Sequence, residues 1–285
     1  MTTPNAQASQ PTTLLSGISF GESVRWHDGR VWFSDWGAGE VVAVGLAGNR
    51  EVVLTMPTLP FSLEWLPDGR LLVVSDQLRR REPGGELVIH ADLSALAPAW
   101  NELVVDGRGN AYVNEVGFDL MSGAEPASGT IAVATADGAS RQVADGVWFP
   151  NGMAITPDDA TLIVAESYRN RLTAFEIGPD GGLSNRRVWA ELGEGVPDGI
   201  CIDAEGAVWY ADVPNKRCVR VREGGEVLQT ITVDRGCFSC ALGGPDGRTL
   251  FIAATEWRGP EQMLGGSPTG RLLSVEVQVP HAGHP

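Results

Sequence analysis

Glu22, Asn151 and Asp198 each stand seven or eight residues before a polar turn that opens a hydrophobic strand. Carboxylate and carboxamide oxygens that return to one place in a repeat are aimed at a common point. Two carboxylates brought together without a cation repel and take up protons. Oxygen donors without His or Cys suit Ca²⁺, Mg²⁺ or Mn²⁺ better than a structural zinc. The chemistry expected of the trio is therefore that of a divalent cation site. The plainer alternative is that the same residues cap strand ends or line an inert, watery channel.

The elements that would position them form an internal repeat. Six segments (23–35, 63–76, 103–115, 153–167, 200–212 and 240–255) each consist of a β-rich run, a turn carrying Asp or Gly, and a second β-rich run ending near Ser, Asp, Glu or Thr. Such turns between β-branched runs are hairpin signals. The turn residues Gly29, Gly69, Gly109, Asp159, Gly206 and Gly247 are 40, 40, 50, 47 and 41 residues apart. That period exceeds one hairpin and suits four strands, and further strand candidates lie between the copies at 39–46, 86–93, 129–135, 171–178, 217–223 and 270–279. Helical periodicity is nearly absent; 93–100 and 260–264 each allow one short turn.

The predicted fold class is all-β, a six-bladed β-propeller with a central channel metal site. It is expected as a single domain over 14–285, closed by pairing 14–19 with the last repeat, behind a disordered polar leader at 1–13. Reading back from each turn gives Glu22, Ser62, Asn101, Asn151, Asp198 and Ser239, a polar column around the axis. The extra residues of the third repeat, 117–129, read as a loop forming a rim over the site.

The 285 residues carry a net charge of −15, which disfavours nucleic acid and anionic membranes as partners. No apolar run is long enough for a membrane span, and the N-terminus lacks the apolar stretch of a signal peptide, so a cytoplasmic location is expected. Cys237 and Cys240 form a lone CxxC, and Cys201 lies in an apolar strand pattern; these read as structural thiols. Gly17-Ile18-Ser19-Phe20-Gly21 matches the G-x-S-x-G elbow of serine hydrolases, but strand-like sequence follows it and no partner histidine is evident.

Gly21-Glu22-Ser23-Val24-Arg25-Trp26 resembles the GE-x-P-x-W opening of the SMP-30/gluconolactonase/LRE-like family, with Val24 in place of Pro. Residues 149–167 (FPNGMAITPDDATLIVAES) and 197–212 (PDGICIDAEGAVWYAD) resemble that family's NG…PD and PDG…D…G…W motifs, and 243–255 its last repeat. The resemblance implies a propeller with one divalent cation, Ca²⁺ first, with Mg²⁺, Mn²⁺ or Zn²⁺ as alternatives. It implies Glu22, Asn151 and Asp198 as ligands, and Asn101, Asp119 and Trp148 around the substrate. The implied activity is metal-dependent opening of a lactone, with Asp198 as general base or nucleophile. A phosphotriesterase on the same site, or a non-catalytic ligand-binding propeller with a structural cation, are the alternatives. The expected partner is a small lactone, ester or phosphotriester, and the expected state a monomer or small homo-oligomer. One departure bears on substrate: where sugar lactonases carry Arg-x-Asn-Asp-Gly, this chain has Ala99-Trp100-Asn101-Glu102-Leu103. Without the arginine, and with Trp100, Trp148 and Phe149 flanking the column, a hydrophobic lactone, aryl ester or phosphotriester is favoured over gluconolactone.

Overall fold

A computed structural model describes residues 10–259 and 267–283. Its strands form six four-stranded antiparallel sheets, the blades of a propeller. Blade 1 holds β2 (Gly21–His27), β3 (Arg30–Asp35), β4 (Glu40–Val44) and β5 (Arg50–Thr55). Blade 2 holds β6 (Ser62–Trp65), β7 (Leu71–Val74), β8 (Leu78–Arg81) and β9 (Leu87–Ala91). Blade 3 holds β10 (Glu102–Val105), β11 (Ala111–Glu115), β12 (Gly129–Ala134) and β13 (Ser140–Val147). Blade 4 holds β14 (Pro150–Ile155), β15 (Thr161–Glu166), β16 (Arg171–Ile177) and β17 (Leu183–Glu191). Blade 5 holds β18 (Pro197–Ile202), β19 (Val208–Asp212), β20 (Arg217–Val221) and β21 (Val227–Thr232). Blade 6 takes β22 (Gly236–Gly243), β23 (Thr249–Thr255) and β24 (Gly270–Glu276), and is completed by β1 (Thr12–Ile18), which pairs with β24.

The ring therefore closes through the two ends of the chain, as the repeat implied. Thr12 and Thr13, expected in the leader, belong to β1; residues 1–9 of that segment, and the turn expected at 260–264, lie outside the described residues. The turn at 93–100 is present over Ser94–Leu96 without becoming a helix.

The core is divided. Six apolar clusters each join two neighbouring blades, for example Val104, Tyr112 and Ile131 of blade 3 with Met153, Ile155 and Leu162 of blade 4. Inner and second strands are almost wholly buried, so their side chains are apolar on both faces; outer strands such as β5 and β17 are largely exposed. All four cysteines are free and buried, together in the cluster between blades 5 and 6. No described helix is long and apolar enough to cross a membrane.

Candidate metal centre in the central channel

Glu22, Asn151 and Asp198 lie at the entrances of β2, β14 and β18, the inner strands of blades 1, 4 and 5. All three entrances are bulged. Residues 23–24, 151–152 and 198–199 each oppose a single residue of the partner strand. A bulge re-aims side chains and sharpens the local twist. Ser23, directly after Glu22, takes a φ of 51°, and Phe149 before Asn151 a φ of 50°, a region that non-glycine residues rarely enter.

Glycine makes the convergence of these strands sterically feasible. A Cβ on Gly152 would sit 2.5 Å from the Ile200 nitrogen and 2.6 Å from the Asp198 carbonyl; one on Gly199 would sit 2.7 Å from Ser239 Cα. The Asn-Gly and Asp-Gly pairs thus combine a donor with the one residue that lets the next blade come close.

A carboxylate from the second strand holds each of these entrances. Asp35 accepts the backbone N–H of Ser19 at 3.1 Å and of Phe20 at 2.9 Å, just ahead of Glu22. Glu166 accepts Trp148 N–H at 2.8 Å, ahead of Asn151, and Asp212 accepts Val196 N–H at 3.3 Å, ahead of Asp198. Glu166 is itself held by Arg171 at 2.8 Å and Arg186 at 3.1 Å, and Asp212 by Arg217 at 2.9 Å.

A second set of bonds ties each blade to the next around the axis. Ser239 Oγ accepts Val24 N–H at 2.9 Å, and Ser23 Oγ accepts Leu63 N–H at 3.0 Å. The Ser62 hydroxyl donates to the Asn101 carbonyl at 2.6 Å, and Asn114 Nδ2 to the Asn151 carbonyl at 2.7 Å. Ser167 donates to the Pro197 carbonyl at 2.7 Å, and the Cys240 thiol to that of Gly199 at 3.5 Å. Ser62 and Ser239, expected to wet the channel, are instead engaged as links between blades. The polar column thus divides into residues that link blades and the trio, which does not.

The trio differs from these satisfied groups. Glu22 is buried, Asp198 is half-buried, and Glu22 Oε2 and Asp198 Oδ1 are buried atoms without a hydrogen-bond partner. Burial, then the charges of Asp198 and Glu102, hold the Glu22 carboxyl well above the usual range. Asp198 is raised by burial and then by Glu102, against a hydrogen bond from Asn151. Asn151 Nδ2 also reaches Ser167 Oγ at 3.4 Å. Its Oδ1, which can only accept, is left to meet a ligand. Two unsatisfied, mutually repelling carboxylate oxygens beside an amide oxygen fit a hard divalent cation. No group of three or more His, Cys, Asp or Glu placed to hold a metal ion occurs among the described residues.

Three charged residues beneath the trio escaped the sequence reading. Arg25, Glu64 and Glu102 are all buried; Arg25 Nε donates to Glu64 at 2.8 Å and Nη2 to Glu102 at 3.4 Å and to the Leu103 carbonyl at 2.9 Å. A charge inside an inner strand was the available signal, since such strands are otherwise apolar, but its direction depends on the bulge. Glu102 is raised by burial despite Arg25, and its charge reaches both Glu22 and Asp198.

The expected substrate residues separate. Asn101 is buried in the column, with Nδ2 donating to the Pro150 carbonyl at 3.3 Å. Trp148 is half-buried and carries the Arg169 guanidinium 4.5 Å from its ring centre. Asp119 is exposed on the rim loop, where its Oδ1 accepts the backbone N–H of Met121 at 3.0 Å and Ser122 at 3.1 Å. Trp100, expected to flank the pocket, is fully buried in the core between blades 2 and 3. Ser19 of the G-x-S-x-G sequence lies between two strands, so the strand-to-helix turn of that motif is not formed. A cavity of about 370 Å³ opens at the other end of the channel, lined by Arg25, His27, Glu64, Trp65, Cys201 and His281 among others. None of the trio lines it; the unsatisfied carboxylates lie toward the opposite mouth.

The described family of the SMP-30/gluconolactonase/LRE-like region matches residues 20–256. The chain is 27% identical to the 6-deoxy-6-sulfogluconolactonase of Pseudomonas putida over 185 residues, 63% of this chain and 64% of that one. It is 33% identical to the regucalcin of Xenopus laevis over 134 residues, 43% and 44% of the two chains. It thus spans less than two thirds of the length of either relative. Among solved structures, the calcium-binding protein regucalcin of Agrobacterium tumefaciens superposes with a TM-score of 0.82 at 23% identity, covering 97% of both chains. A gluconolactonase of Xanthomonas campestris does so with 0.77 at 23% identity, covering 98% of this chain and 94% of that one. These two likenesses establish the six-bladed fold. With the match over 20–256, the chain belongs to the SMP-30/gluconolactonase/LRE-like family.

Proposed function

We propose that the protein is a divalent-cation-dependent hydrolase that opens lactone rings. The observation that carries this reading is the pair of buried carboxylate oxygens, Glu22 Oε2 and Asp198 Oδ1, left without hydrogen-bond partners beside Asn151. Glu22, Asn151 and Asp198 would hold the cation, Ca²⁺ by preference for hard oxygen donors. When bound, such a cation polarises the substrate carbonyl and stabilises charge developing on its oxygen.

The chain's own residues divide the remaining work. Asp198, beside Asn151, takes the proton of the attacking water. Asn101 aligns the lactone carbonyl, Trp148 covers it, and Asp119 on the rim loop meets its polar edge. The Arg25–Glu64–Glu102 cluster keeps the channel floor rigid and charged beneath the reacting atoms. Four free buried cysteines fit a reducing, cytoplasmic setting.

The test strips the purified protein with a chelator and follows proton release from a lactone panel, before and after calcium is restored. Turnover that ends on stripping and returns with calcium supports the reading; turnover indifferent to the chelator refutes it. A single turnover in heavy-oxygen water separates the two roles of Asp198: direct appearance of label in the product supports the base, and label in the Asp198 carboxylate supports the nucleophile. The aromatic mouth also suits an aryl phosphotriester, so the same preparation is assayed with one. Cation-dependent melting with no turnover of either class would make the protein a binding propeller.

A further inference from the structure

Two groups of aromatic side chains flank the mouth that holds the trio. On the side of blades 3 and 4, Phe149 stacks on Tyr168 with centroids 4.7 Å apart, and Phe118 of the rim loop meets both at 5.8 Å. On the side of blades 6 and 1, Phe20 meets Phe238 at 4.6 Å and Trp36 at 5.8 Å, and Phe238 meets Trp257 at 5.7 Å.

The topology places all of them at the trio's end of the channel. Phe20 and Phe149 stand two residues before Glu22 and Asn151, and Phe238 directly before Ser239. Trp36 and Trp257 follow the ends of β3 and β23, and Tyr168 follows the end of β15, so these three leave the sheet beside the same entrances. Tyr168 is 44% exposed and Trp257 42% exposed. Single exposed apolar residues are ordinary, but aromatic groups on opposite sides of a polar centre have the composition of a ligand pocket, with apolar walls around a few convergent polar atoms.

We infer that the mouth selects lactones bearing an aryl or alkyl arm, which lies against Tyr168 and Phe118 or against Trp257 while the ring carbonyl reaches the trio. The hydrolysis of such a substrate rests on the function proposed above; its binding does not. Offset and edge-on aromatic contacts reward a flat apolar arm, whereas a polyhydroxylated ring brought against the same walls loses water without regaining hydrogen bonds.

The experiment compares dihydrocoumarin, an aryl-fused lactone, with gluconolactone in the wild-type protein and in Tyr168→Ala and Trp257→Ala. Both changes are on exposed side chains and leave the buried core intact. The ratio of kcat/KM for dihydrocoumarin to that for gluconolactone is expected to favour dihydrocoumarin and to fall about tenfold in at least one variant. Calorimetry with dihydroquinolinone, the lactam analogue of dihydrocoumarin, reads binding without turnover and should weaken by a similar factor. A ratio unchanged in both variants, or no lactam binding by the wild type, overturns the inference. Lactam binding that weakens in the variants, with no lactone turned over, upholds the apolar grip and removes the hydrolase reading.

Discussion

Blades 1, 4 and 5 and blades 2 and 3 share one strand plan but meet the axis differently. In the first group the inner strand enters through a bulge, and a carboxylate of the second strand holds the backbone just ahead of it. In the second group β6 and β10 pair with their neighbours in regular register. Ser75 stands where a clamp would be and donates to the Pro60 carbonyl, while Glu115 accepts from Gly117 and Thr130 of its own blade. Glu22, Asn151 and Asp198 stand in three of the four blades whose inner strand enters irregularly. A bulge leaves ladder groups unpaired and directs a side chain off the sheet plane; the carboxylate clamp holds that local strain in place. Blade 6 is bulged as well, but its Ser239 is engaged by Val24, so irregularity alone does not make a ligand.

The largest effect expected from this comparison is at the donors. Asp198→Asn should lower lactone turnover by about a thousandfold, the range of a lost acid–base group, while Ser62→Ala, the same column position in an unbulged blade, should change it by less than about threefold. Steady-state kinetics on both variants checks this, and equal losses would break the distinction between donors and links.

Next come the glycines. Gly152→Ala and Gly199→Ala force a Cβ into backbone of the next blade and should each destabilise by about 1–3 kcal/mol, the usual penalty of overpacking. Gly45→Ala, where the added atom meets open space, should melt within a degree or so of the wild type, since surface changes of this kind stay within about 0.5 kcal/mol. Thermal melting of the three variants decides it.

The clamps should give a smaller, more selective effect. Asp212→Asn weakens charge-assisted bonds to Val196, Asn215 and Arg217, a loss of about 1.5–3 kcal/mol if they were fully removed. Calcium affinity should fall with it. Ser75→Ala in blade 2 should lower stability by about 1 kcal/mol and leave calcium affinity unaltered. Matching losses of affinity in both variants would mean that the clamps do not position the donors.

The smallest effect is on pH. Glu22 and Asp198 have folded values above their unfolded ones, through burial first and then neighbouring negative charge. The folded protein therefore binds more protons in that window, and the stability they contribute is fully present below the unfolded value and lost as pH rises through the folded one. Chelated protein should melt higher as pH is lowered from about 8 toward about 5. Glu22→Gln should flatten that slope, as should saturating calcium. Melting curves that rise with pH in the chelated wild type would contradict the assignment.

Much of this contrast was legible before any coordinates. The six hairpins stood out because inner and second strands are buried on both faces and joined by turns carrying Asp or Gly. The outer strands β5, β13, β17 and β21 did not, because exposed runs such as Arg50-Glu51 and Ser184–Arg187 lack the apolar pattern of a strand. In blade 2 the third strand, β8, is Leu-Arg-Arg-Arg, and the segment read in its place is the fourth, β9. The trio was legible as a column. The links, clamps and Arg25 cluster were not, since their partners lie from 15 residues away in the clamps to 215 in the links, and their direction depends on bulges that leave no mark in composition.

The central claim is that Glu22, Asn151 and Asp198 hold one divalent cation, and calorimetric titration of chelated protein with calcium tests it most directly. One calcium per chain is predicted for the wild type and for Ser62→Ala, with binding abolished in Asp198→Asn. Calcium bound equally by Asp198→Asn, or by no form of the protein, would contradict it.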